Sequence, residues 1–140
     1  MNISSIEKIS AESQESLIKK LSQYITPARW ELMQKVIQNR TRYISLILED
    51  IYQSHNAAAV IRSCDGFGIQ DIHVIENHNK LSLNKTTVAK GADKWLNFYY
   101  YNQANQNNTL NCISHLKSQG YRIAATTLGK NSITLETIPL

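Results

Sequence analysis

Residues 44–75 carry a short apolar run, a helix-competent segment and a second apolar run, and that order leaves few folds open. Ile44 to Leu48 is rich in β-branched residues and closed by Glu49 and Asp50, the pattern of a strand buried on both faces. Asn56 can cap a helix over Ala57 to Cys64, Gly66 and Gly68 end it, and Ile72 to Ile75 forms a second predicted strand. Two strands joined through a helix in about thirty residues pair in parallel through a right-handed crossover. Downstream, Trp95 to Tyr101 predicts a strand, Asn102 to Asn108 a polar loop, and Thr109 to Gln119 a helix stopped by Gly120. Tyr121 to Thr127 predicts a further strand. The expected architecture is α/β, an open and mainly parallel sheet.

Ahead of this unit, Leu17, Leu21, Tyr24 and Ile25 recur at helical spacing and predict a helix over about Glu12 to Tyr24. Thr26 can cap and Pro27 can open a second helix, with Trp30, Met33, Val36, Ile37 and Arg40 along one side and an end near Asn39 to Thr41. The expected division is a helical extension over 1–42 and an α/β domain over 43–140. The plain role of the apolar stripe, Trp30 and Met33 included, is to pack on that domain.

The 140 residues hold 15 Lys and Arg against 11 Asp and Glu, a net charge of +4. Seven of the basic residues face four acids within residues 1–43, so the positive balance sits at the front, as suits a phosphate-bearing partner. No apolar run approaches the roughly 20 residues of a membrane span, and Met1 to Ser10 lacks a secretory apolar core. A cytoplasmic location is the resulting expectation. Cys64 and Cys112 have no partner at metal-ligand spacing and read as reduced thiols, and His55, His73, His78 and His115 are scattered, so no metal is expected.

The sequence has no GxGxxG after the first strand, no GxxxxGK[ST], no HExxH and no GxSxG, which demotes dinucleotide, nucleoside-triphosphate, zinc-peptidase and serine-hydrolase chemistry. Polar residues concentrate instead in Glu49 to Asn56, at the carboxyl end of the first strand, where open α/β sheets bind ligands. Arg62 follows on the next helix behind Val60 and Ile61, a setting that calls for a carboxylate or phosphate partner. Spacing alone favours a structural ion pair with Glu49, Asp50 or Asp65, and plain helix capping for Asn56.

The segment LEDIYQSHNAAAVIRSCDGFGIQDIHVIE closely resembles the first signature of the SpoU/TrmH family of RNA ribose 2′-O-methyltransferases, in the SPOUT class. The resemblance continues through VAKGADKWL, HLKSQGY and RIAATTL, covering roughly Arg40 to Leu140. The His55-Asn56 pair before AAAVIRSCD looks most like the TrmH branch, whose members methylate a D-loop guanosine of tRNA. The resemblance implies an α/β-knot fold, S-adenosylmethionine as methyl donor, tRNA as partner, a homodimer for the full-length protein and no metal. It matches Arg62 to the family's catalytic arginine, Asn56 to its motif asparagine, and Thr126 to a strand-edge position near the methyl donor. Because a guanidinium is a poor base, bidentate clamping of the phosphate beside the reacting ribose is an easier role for Arg62 than proton removal. Asn56 would orient Arg62 or the ribose.

The chain stops at Leu140, ahead of the two later signatures that build the knotted cofactor pocket, so the expectation is the amino-terminal portion of such an enzyme with the knotted part absent. The alternatives are a non-catalytic RNA-binding half-domain and a 2′-O-methyltransferase of ribosomal RNA.

Overall fold

The computed structural model describes residues 10–81, 91–127, 129 and 132–138. Four α-helices, α1 (Ala11–Ser22), α2 (Pro27–Gln38), α3 (Ser54–Gly66) and α4 (Asn108–Ser118), accompany three strands, β1 (Leu46–Glu49), β2 (Asp71–Ile75) and β3 (Asn97–Tyr101). The strands form one parallel sheet in the order β1-β2-β3, with Leu46 opposite Ile72 and Asp71 opposite Asn97 opening the two registers. The expected α/β class and parallel pairing are therefore present.

Every residue of β2 is buried, as a central strand covered on both faces requires. On one face Ile72 and Val74 meet Ala57, Ile61 and Cys64 of α3, together with Leu48, Ala92 and Leu96. On the other, Ile75 meets Cys112 and Leu116 of α4, with Ile47, Tyr101, Tyr121 and Ile123 half-buried around them. Each fully buried aliphatic side chain contributes about 2 kcal/mol.

The polar groups of β2 are satisfied inside this core. Asp71 accepts from Arg42 Nε at 2.9 Å and Asn97 Nδ2 at 2.8 Å. His73 lies within 3.2 Å of the Tyr101 hydroxyl and stacks on Tyr99, with ring centres 4.9 Å apart. Burial lowers the His73 pKa and pushes the Tyr101 phenol up to about 12.

Local chemistry explains the ends of the amino-terminal helices. Ser10 caps α1 by accepting from Ser13 N–H, and Thr26 caps α2 by accepting from Arg29 N–H with Pro27 in the first turn, as expected. Neither helix contains a buried residue, and Leu17, Leu21, Leu32, Val36 and Ile37 are exposed, so the stripe packs far less than its sequence implies. The chain after α2 is tied down instead by Thr41, which donates to Gly68 O at 2.8 Å and accepts from Gln70 N–H at 3.1 Å.

Three boundaries need correction. Asn56 is the third residue of α3, not its cap: its own N–H donates to Gln53 O, and Gln53 occupies the cap position without a side-chain bond. Trp95 closes a single 3-10 turn over Ala92–Lys94, and β3 starts two residues later. Tyr121 to Thr127 is no strand. Its period-two pattern holds at Tyr121 and Ile123, half-buried between exposed Arg122 and Ala124, but among the described residues no ladder bond joins it to β1. Apolar alternation supplies a face, whereas a strand also needs a backbone partner.

Candidate functional site at the carboxyl edge of the sheet

With α3 and α4 on opposite faces, the winding reverses after β3, and the chain after α4 returns to the β1 side, where the Tyr121 hydroxyl donates to the Arg42 carbonyl. The carboxyl end of β1 lies at the edge of the sheet where open α/β folds bind ligands.

Asp50 organises this edge. It follows β1 with a positive φ of 45°, and its N–H donates to Ile75 O. One carboxylate oxygen accepts the backbone N–H groups of Asn77, His78 and Asn79 at 2.8, 2.8 and 3.1 Å, and the other lies 3.0 Å from His78 Nδ1. These bonds, led by the His78 amide, hold the Asp50 carboxyl well below the usual carboxylate range. Beside it, Asn77 Nδ2 donates to Thr109 Oγ1 at 2.9 Å, and that hydroxyl donates to Glu49, which links β1, the loop after β2 and the first turn of α4.

A carboxyl depressed in the folded state stabilises above its unfolded pKa, about 3.9 for aspartate, and that contribution disappears as pH falls below it. Asp50→Ala is expected to lower stability by about 2 kcal/mol at pH 7. In thermal unfolding followed from pH 7 to pH 2, the gap to wild type should hold above about pH 4 and close below it. A pH-independent gap would show that the charge of Asp50 does not hold the loop.

Arg62 is exposed on α3, at the border of the flank that buries Ala57, Ala58, Ile61 and Cys64. Of the nearby carboxylates, Asp65 receives Arg40, Asp50 the 77–79 amides, and Glu49 the Thr109 hydroxyl. Asn56 is also exposed, and six residues at about 100° each place it roughly 120° around the helix from Arg62. The two side chains start from opposite borders of the solvent face. His55, seven residues before Arg62, returns to within about 20° of it, some 10 Å along the axis.

Thr126 is exposed and lines a cavity of about 590 Å³ formed by residues 122–127, Ser132, Ile133 and Ile138. Neither Arg62 nor Asn56 lines it. Among the described residues no group of three or more His, Cys, Asp or Glu side chains could hold a metal ion, and no helix is long and apolar enough to cross a membrane.

Residues 43–139 match the model of the SpoU rRNA Methylase family. The chain belongs to this family. Among SpoU relatives, it is 42% identical to the tRNA (guanosine(18)-2′-O)-methyltransferase of Borreliella burgdorferi over 86% of its own length and 52% of that protein. The Escherichia coli protein of the same name is 24% identical over 81% of this chain and 47% of its own length. The solved A. aeolicus TrmH/SpoU tRNA modifying enzyme shares the fold, with a TM-score of 0.66 at 20% identity over 79% of this chain and 54% of that one. The chain thus spans about half the length of the SpoU relatives it matches.

Proposed function

We propose that this chain is the amino-terminal portion of a tRNA 2′-O-methyltransferase that modifies a D-loop guanosine ribose with S-adenosylmethionine as donor. The observation that carries this reading is the 42% identity to the B. burgdorferi enzyme over 86% of the chain, a stretch that includes the site helix. Residues 43–140 would form the catalytic part, and the basic extension over 1–42 would contact tRNA phosphates.

On this reading Arg62 clamps the phosphate next to the reacting ribose with two parallel N–H bonds, and holds the 2′-oxygen in line for attack. Asn56 meets the same backbone from the other flank of α3 and orients the ribose by hydrogen bonding. The cavity at Thr126 falls in the size range of small-ligand sites, and Ile123, Ala124, Ala125 and Ile133 suit an adenosyl group beside the threonine hydroxyls. S-adenosylmethionine bound there would supply an activated methyl group, and no metal is needed for that transfer. The full-length protein would be a cytoplasmic homodimer.

The test is methyl incorporation from labelled S-adenosylmethionine into tRNA and ribosomal RNA transcripts, using protein isolated from its own cells after its intact mass is compared with 15.9 kDa. Incorporation at a D-loop guanosine of tRNA alone is the expected result. Ribosomal RNA as the better acceptor would favour the activity in the family's description. RNA binding without incorporation, at a mass near 15.9 kDa, would leave a non-catalytic binding half-domain.

A further inference from the structure

At the amino-terminal edge of the sheet, opposite the site above, a cavity of about 1020 Å³ opens between α2 and the residues that lead into the three strands. Thr41 precedes β1, Gln70 precedes β2 and Trp95 precedes β3, so at least the length of a five-residue strand, about 17 Å, separates this groove from Asp50 and Asn77. Its floor is apolar and its rim is basic: Arg29, Arg40, Arg42 and Lys94 line it, and among the described residues Asp65 is the one acid that does.

Three observations say what fits there. Trp95 is 57% exposed, while Gln70 Nε2 anchors its backbone carbonyl at 3.0 Å. Arg40 uses Nη2 on Asp65, but its buried Nη1 has no hydrogen-bond partner among the described residues. Such a buried donor carries an uncompensated desolvation cost until an acceptor reaches it. Arg42 keeps a side chain 65% exposed even though its Nε is held by Asp71. An exposed indole on a backbone held by Gln70, beside surplus cations and an unsatisfied guanidinium nitrogen, matches a nucleotide unit, a flat π-face joined to a phosphate.

We propose that this groove is a second RNA contact, which takes an unpaired nucleotide with its base stacked on Trp95 and its phosphate among Arg29, Arg40 and Lys94. The proposal rests on the tRNA reading and adds a site the methylation chemistry does not use. A substrate engaged at both edges must span at least about 17 Å of protein. The groove would thereby favour a folded RNA over a short strand that reaches one edge.

The chain has two tryptophans, so in a Trp30→Phe background the emission reports Trp95 alone. Titration of the 140-residue chain with unmodified tRNA transcript, and with a short oligoadenylate, is expected to quench that emission by half or more. In the wild-type background, Trp95→Ala should weaken tRNA binding about tenfold and Trp95→Phe less than threefold, because phenylalanine still stacks. Arg29→Glu and Lys94→Glu should each flatten the slope of log affinity against log salt by about one. If wild type binds tRNA while Trp95 emission and the Trp95→Ala affinity stay unchanged, the groove is refuted and the tRNA reading stands. If wild type binds no tRNA, both fall. Quenching by an acidic amphipathic peptide but not by RNA would assign the groove to a protein partner and overturn the proposal.

Discussion

Arg62→Ala is expected to reduce methyl transfer about a thousandfold in protein active on tRNA, with the fold intact. The fold should survive because Arg62 is exposed and its helix neighbours Ala58, Ile61 and Cys64 provide the buried contacts. A surface substitution of this kind changes stability by about 0.5 kcal/mol or less, and alanine is the best helix former available. Loss of activity would therefore report chemistry. The size of the loss follows from the proposed role: a bidentate clamp that fixes the ribose in attack geometry contributes about 4 kcal/mol to the barrier difference, or three powers of ten. Arg62→Lys separates a clamp from a mere positive charge, since lysine keeps the charge and loses the planar fork. Recovery within tenfold of wild type by lysine would sink the clamp. Full activity in Arg62→Ala, measured as initial rate at saturating donor, would remove Arg62 from the site altogether.

Much of the frame behind that expectation was legible in the chain. The β-branched runs before Glu49 and up to Ile75 fixed two neighbouring strands, because only a strand covered on both faces needs such continuous apolarity. Thr26-Pro27 marked the start of α2 because a hydroxyl cap and a residue without an N–H solve the same local problem. Failures came where a residue's role depends on distant backbone. Asn56 has the chemistry of a cap, but the helix starts at Ser54, two residues earlier. Tyr121 to Thr127 has strand periodicity without a ladder, a fact set by pairing rather than by side chains. The site shows the same division. The resemblance to the SpoU/TrmH family, not residue type or spacing, singled out Arg62 and Asn56 as candidates, and their positions on opposite borders of the exposed α3 face depended on where the helix begins. That the Asp50 carboxylate gathers the amides of 77–79 could not be read from the sequence, because that loop is close to it only in three dimensions.

Gly68→Ala is expected to be among the most destabilising single-methyl changes in the chain, although Gly68 is far from any proposed chemistry. Its φ of +76° lies in the left-handed region, where an L side chain costs about 1–2 kcal/mol. A Cβ there would also run into the Asn39 carbonyl oxygen, which is backbone and cannot rotate away. The same residue accepts the Thr41 N–H at 2.8 Å, and the neighbouring Thr41–Ile69 bridge joins the end of the helical extension to the strand that follows α3. Relief of the clash by moving Asn39 would thus pull apart the connection that seats α2 beside the basic groove. The combined cost is about 3 kcal/mol or more, which for a chain of this size lowers the unfolding midpoint by roughly 10 °C. Gly66→Ala supplies the control two residues away: it ends α3 without positive φ, a Cβ there meets nothing within 4 Å, and alanine gains helix propensity. Thermal unfolding of the pair should therefore move in opposite directions, Gly66→Ala level with or slightly above wild type and Gly68→Ala far below it. Equal midpoints would mean that the extension can shift on the domain without cost, and a groove built from both could not hold a fixed shape for RNA.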